Sequence, residues 1–98
     1  MNKIKISKNN YDTFIFKGAL ALESYFDDRK DNLELFDKIN KKITNYRSLK
    51  EKNNDDKEVI VNDLLLAFEK LGQENFIIYE DGDVEYNYNK EEGDDFNL

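Results

Sequence analysis

The chain has 98 residues, enough for one domain with one modest core. It holds no Cys, His or Trp, which removes disulfides, thiolate metal sites, thiol nucleophiles and the commonest general base. Its 22 acids and 15 bases give −7, but residues 73–98 hold nine acids and one base, leaving +1 on residues 1–72, so the acidic character belongs to the last quarter.

From the N-terminus, residues 3–7 (KIKIS) alternate, with Ile4 and Ile6 on one face, and read as a short strand or extended arm. The basic start before an apolar run has the outline of a secretory leader. Asp12 and Lys17 interrupt that run and its apolar residues fit a helix, so the secretory reading is rejected. A cytoplasmic location is the expectation. No stretch reaches the length of a membrane span.

Asn9 and Asn10 offer caps for a first helix. Its apolar positions are Tyr11, Phe14, Ile15, Gly18, Ala19, Leu22, Tyr25 and Phe26, which recur at helical spacing. A glycine in the middle of a helix is unfavourable, so Gly18 implies a closely packed neighbour. The stop lies near residues 27–30. A second helix starts at a D-x-x-E capping pattern, Asp31 and Glu34, and carries the stripe Leu35, Phe36, Ile39, Ile43 and Tyr46. Lys38, Lys41, Lys42 and Arg47 ride beside that stripe.

Residues 50–58 are wholly polar and rich in Asn and Asp, and read as a linker. A third helix follows, opened by Asp55 and Glu58, with Ile60, Leu64, Phe68 and Leu71 on its stripe and Leu65 beside it. The β-branched run at residues 58–61 also fits a short strand, with Asn62 capping a shorter helix; a helix throughout is preferred. Gly72 is placed to end this helix in the left-handed conformation.

A β-hairpin comes last, residues 76–80 and 83–88 around Asp81-Gly82. A two-residue loop sets Glu80 opposite Asp83; a four-residue loop keeps that register. Either way Ile77, Tyr79, Val84, Tyr86 and Tyr88 share one face, expected to complete the core. Phe76, Ile78, Glu80, Asp83, Glu85 and Asn87 share the other. The fold class expected is α+β, about three helices on a small antiparallel sheet dominated by the C-terminal hairpin, with a winged-helix arrangement as the alternative. Residues 1–90 form the single domain; residues 91–98 are an acidic, flexible tail.

Catalytic chemistry finds little support. Ser7, Ser24 and Ser48 lack an imidazole partner, and the glycines at 18, 72, 82 and 93 make no phosphate loop. Asp55-Asp56-Lys57 matches a short piece of a metal-dependent nuclease site, but such triplets arise by chance in a chain this charged. Asp27, Arg29 and Asp31 put a cation in a calcium-ligand slot, and Lys38 stands where the loop's bidentate Glu belongs. No enzyme activity, metal or cofactor is expected. Duplex DNA is disfavoured because the third helix carries Asp63 and Glu69 beside Lys70, and the hairpin tip is Glu80-Asp81-Gly82-Asp83.

What remains is binding through acid. Glu80, Asp81, Asp83 and Glu85, with Glu91, Glu92, Asp94 and Asp95 of the tail, make a negative zone suited to steering a basic protein. The alternative is that the charge only solubilises an edge strand and a tail. The Asn-, Lys- and Ile-rich, Pro-free composition is that of AT-rich genomes, such as low-GC bacteria, their phages and plasmids. Small acidic proteins from those sources include anti-restriction, anti-CRISPR and toxin-immunity proteins, though no motif assigns this chain to a family. The expectation is a non-catalytic inhibitor or immunity-type protein, a possible nucleic-acid mimic, whose partner is a basic nucleic-acid-binding enzyme or complex. Neither nucleic acid nor membrane is a direct partner in this reading; a homodimer is compatible with it. The runner-up is a winged-helix DNA-binding regulator or assembly module.

Overall fold

A computed structural model describes residues 5–87. A 3-10 turn at Lys8–Asn10 leads into α1 (Tyr11–Arg29), followed by α2 (Leu33–Ser48) and α3 (Asn54–Leu71). A second 3-10 turn, Gln73–Asn75, feeds the antiparallel hairpin of β1 (Phe76–Ile78) and β2 (Val84–Tyr86). The class is α+β, three helices on a two-stranded sheet. α1 sits at the centre, packed on α3 and on β2, while α2 lies mainly on α3.

The expected helical stripes are the buried ones. Every apolar position assigned to the first helix is buried, as are Ile39, Ile43 and Tyr46 of α2 and Ile60, Leu64, Phe68 and Leu71 of α3. Leu35 and Phe36 pack against the same core while partly exposed. A Cβ on Gly18 would lie 3.3 Å from Leu64 Cδ1 and 3.5 Å from Phe68 Cζ, so the glycine does set how closely α1 and α3 approach. Residues 58–61 are helical throughout. Their β-branching is outweighed by the burial of Ile60 and Val61 on the α3 stripe.

The helix ends differ from expectation. α3 begins inside the assigned linker: Asn53, not Asp55, is the cap, and it exchanges hydrogen bonds with Asp56 in a full capping box. The loop before α3 is correspondingly short. Asp31 does not cap α2. Asn32 holds that position with φ +53, and its carbonyl accepts the Leu35 and Phe36 N–H groups. Gly72 has φ +102 but ψ +113, outside the left-handed helical region, because the chain turns at once into Gln73–Asn75. Lys5–Ser7 form no strand, although Ile6 is buried; Ile4 lies outside the described residues.

The hairpin register is the main correction. Phe76 pairs with Tyr86, Ile77 with Glu85 and Ile78 with Val84. The loop has three residues, Glu80-Asp81-Gly82, closed by Tyr79 N–H to the Asp83 carbonyl (2.9 Å) and Gly82 N–H to the Tyr79 carbonyl (3.0 Å). Gly82 takes φ +95, as the last position of a three-residue loop requires. An odd loop slips the register by one residue relative to an even loop, and a one-residue slip exchanges faces. Phe76 and Ile78 therefore join Val84 and Tyr86 toward the core, while Ile77 and Tyr79 turn outward beside Asp83 and Glu85. Tyr88 lies outside the described residues.

Phe76 gains a full aromatic setting from the slip. Its ring centroid lies 4.5 Å from Phe68, 5.5 Å from Tyr25 and 6.0 Å from Tyr86. Such contacts add to the area term at these spacings. A polar clamp closes the join. Buried Asn75 donates to the Leu71 carbonyl at 2.9 Å, satisfying an end group of α3, and accepts from Arg29 Nη2 at 3.3 Å. Arg29 Nε donates to the Tyr86 hydroxyl, which donates to Asp28 Oδ2 at 2.6 Å.

Candidate functional site

The hairpin turn is anchored at two points to the start of α1. Asn10 Nδ2 donates to the Glu80 carbonyl at 3.1 Å, tying the turn to the start of α1. Gly82 packs so closely there that a Cβ would stand 2.8 Å from the Asn10 carbonyl oxygen. The acids are thus presented from a fixed turn.

Its four acids do different jobs. Asp81 Oδ1 accepts the Asp83 N–H at 3.0 Å, an Asx-type contact two residues on. Asp83, half-buried, uses Oδ1 to accept the Val84 N–H at 2.8 Å. Both carboxylates therefore shape the turn as well as charge it. Glu80 is exposed at the crest. Glu85, exposed on the outer face, accepts from the Tyr79 hydroxyl at 3.4 Å. The Glu85 carboxylate beside it raises the Tyr79 pKa, with desolvation, Asp83 and Asp81 adding to the effect.

The register slip changes what this face is. Ile77 and Tyr79 are 40% and 42% exposed and lie among Glu80, Asp81, Asp83 and Glu85. The sequence assigns both to the core; the structure makes them an apolar and aromatic centre within an acidic surround. Glu91, Glu92, Asp94 and Asp95 lie outside the described residues.

Two further features were missed. Phe16 and Leu20 lie on the solvent side of α1, opposite its buried stripe. Leu20, Phe26, Leu33 and Phe36 line an open cleft between α1 and α2 of about 670 Å³, walled also by Glu23, Ser24 and Asp27. A groove of about 380 Å³ lies on the other flank, lined by Lys17, Leu20 and Ser24 of α1, by Asp83 just before β2 and by Glu85 within it. The available signal was two large apolar residues at i and i+4 off the main stripe.

The other candidates resolve into local structure. Asp56 caps α3, and Lys57 Nζ lies 3.1 Å from Asp12 Oδ1, so two members of the acid–acid–lysine triplet hold helix ends and helix pairs. Among the described residues no three His, Cys, Asp or Glu are placed to hold a metal ion. On α2, Lys38, Lys41 and Arg47 are exposed, while Lys42 pairs with Asp63 of α3 at 3.4 Å. No described helix is long and apolar enough to cross a membrane. Compared with known proteins, the chain matches no family model, no curated protein and no solved structure.

Proposed function

We propose that the chain is a small non-catalytic binding protein that inhibits or neutralises a basic, nucleic-acid-handling protein in the cytoplasm, as anti-restriction, anti-CRISPR or immunity proteins do. The observation that carries this reading is the outer hairpin face: Ile77 and Tyr79 exposed among four carboxylates on a turn anchored to α1. Tyrosine at the centre of a charged surround is the composition of an energetic interface. Same-face carboxylates along a strand stand about 6.6–6.8 Å apart, a spacing compatible with standing in for a phosphate run. The acids of residues 91–98 add long-range attraction.

The test is capture from nuclease-treated lysate of the native host at low and high salt. The variant pair Glu80→Lys and Glu85→Lys removes the two carboxylates that hold no backbone N–H. Asp83→Asn keeps the acceptor for Val84 while removing charge. A basic protein partner that is lost at high salt and with the double variant supports the reading; binding indifferent to both charge and salt overturns it. Duplex DNA is the competing ligand, favoured by exposed Lys38 and Lys41. A gel shift that weakens when Lys38, Lys41 and Lys42 are neutralised would select it.

A further inference from the structure

The solvent side of α1 departs from what a surface helix carries. Phe16 and Leu20 are 57% and 43% exposed, and Leu33 at the start of α2 is 55% exposed. One exposed apolar residue needs no explanation, but Leu20 and Leu33 grouped with Phe26 and Phe36 along one cleft do. Leu20 and Ser24 line both the α1–α2 cleft and the α1–β2 groove. Leu20 therefore forms a ridge flanked by two acidic margins, Glu23 and Asp27 in the α1–α2 cleft and Asp83 and Glu85 across the α1–β2 groove. Among the described residues lining the two hollows, Lys17 is the single base.

We propose that this ridge docks a basic amphipathic helix of the partner, its apolar stripe seated over Leu20, Leu33 and Phe36 and its lysines or arginines reaching both margins. A helix carries charge on both flanks of one apolar stripe, which a strand with alternating faces does not. The sign of the margins selects the occupant. A second copy meeting this face by two-fold symmetry would bring the same four acids near their own kind. Residues 91–98 carry four acids and no base, and an anionic membrane surface would be repelled in the same way. The inference rests on the proposed basic partner and deepens it: the carboxylates steer the approach, and the ridge supplies the contact that holds.

The full chain, isotope-labelled, is titrated with a synthetic Lys/Leu helix of about 18 residues, or five turns, bearing one leucine stripe. Three comparisons accompany it: a peptide of identical composition with scattered leucines, a Glu/Leu stripe peptide, and the protein variant Leu20→Gln/Leu33→Gln. The striped basic peptide is expected to shift the amides of Leu20, Ser24, Leu33 and Phe36 and to bind about tenfold tighter than its scattered counterpart. The double variant should erase that tenfold advantage and leave binding of the scattered peptide unchanged. Both leucines are exposed, so the variant keeps its fold; Leu33→Gln alone, with part of the loss, provides a second check. Equal binding of the two basic peptides, with shifts confined to residues 80–85, overturns the docking ridge and leaves the acidic hairpin reading standing. Equal binding of the Glu/Leu peptide overturns the charge argument and with it the ridge. No binding of either basic peptide at low salt overturns both readings. A dimer dispersed by the double variant assigns the face to a second copy and also overturns the proposal.

Discussion

The Tyr86 hydroxyl donates to Asp28 Oδ2 at 2.6 Å and accepts from Arg29 Nε at 3.2 Å, so one oxygen ties β2 to the last turn of α1. Replacing Tyr86 with Phe keeps the ring against Tyr25 and Phe76 and removes both bonds. Hydrogen bonds to charged groups are worth more than neutral ones, but Asp28 is exposed and water can replace the lost donor. The expected cost of Tyr86→Phe is about 1–2 kcal/mol in urea unfolding. Asp28→Asn keeps an acceptor and should cost less. An unchanged midpoint for Tyr86→Phe would show that the hydroxyl does not join the two elements. The inward direction of Tyr86 was legible in the alternation of β2; its partners were not, because Asp28, Arg29 and Asn75 meet it only once the chain has folded back.

At the scale of elements, the helices were legible and the hairpin register was not. The stripes of α1, α2 and α3 are set by burial, and burial follows spacing. Asp-Gly, by contrast, suits loops of two, three or four residues, and the loop length decides which face each strand buries. Phe76 in the core and Tyr79 outside both follow from that single residue of difference. Of the candidate face, Glu85 points outward as its place in the β2 alternation implies, whereas Tyr79 was assigned to the wrong side. Gly82 is where the loop can be tested. Gly82→Ala must adopt φ +95 and push its Cβ to 2.8 Å from the Asn10 carbonyl oxygen. Strain and crowding together should cost about 2–4 kcal/mol by chemical denaturation. Gly18→Ala is the counterpart inside a helix. Relief of the glycine penalty gains about 0.5–1 kcal/mol, and the 3.3 Å approach to Leu64 Cδ1 opposes it, so the net change should stay within about 1 kcal/mol. No loss at Gly82 would contradict the loop, and a loss well above about 1 kcal/mol at Gly18 would show that Leu64 does not yield to the added methyl.

For the whole molecule, the absence of His and Cys has a thermodynamic consequence. No side chain has an ordinary pKa between about 5 and 8, so stability should change little across neutral pH. The tyrosines set the alkaline limit. Burial raises the pKa of Tyr25, Tyr46 and Tyr86; the Asp31 carboxylate adds to the effect at Tyr25, and the hydrogen bond to Asp28 adds to it at Tyr86. A phenol whose folded pKa exceeds its unfolded value near 10.0 leaves the native state holding more protons than the unfolded chain above that pH. The stabilisation is therefore whole below about pH 10 and is lost as pH rises through the folded values. These three rings belong to one core, since Tyr25 and Tyr86 join β2 to α1 and Tyr46 packs α2 into the same cluster. Ionisation should accordingly coincide with global unfolding. Phenolate absorbance and circular dichroism, followed together in an alkaline titration, should show one fraction of the tyrosines ionising early and another only as the helices melt. Tyr86→Phe should make the loss of stability with pH less steep, because one raised phenol is gone. If every tyrosine ionises near pH 10 with the helical signal intact, the three buried rings are not held by a common core.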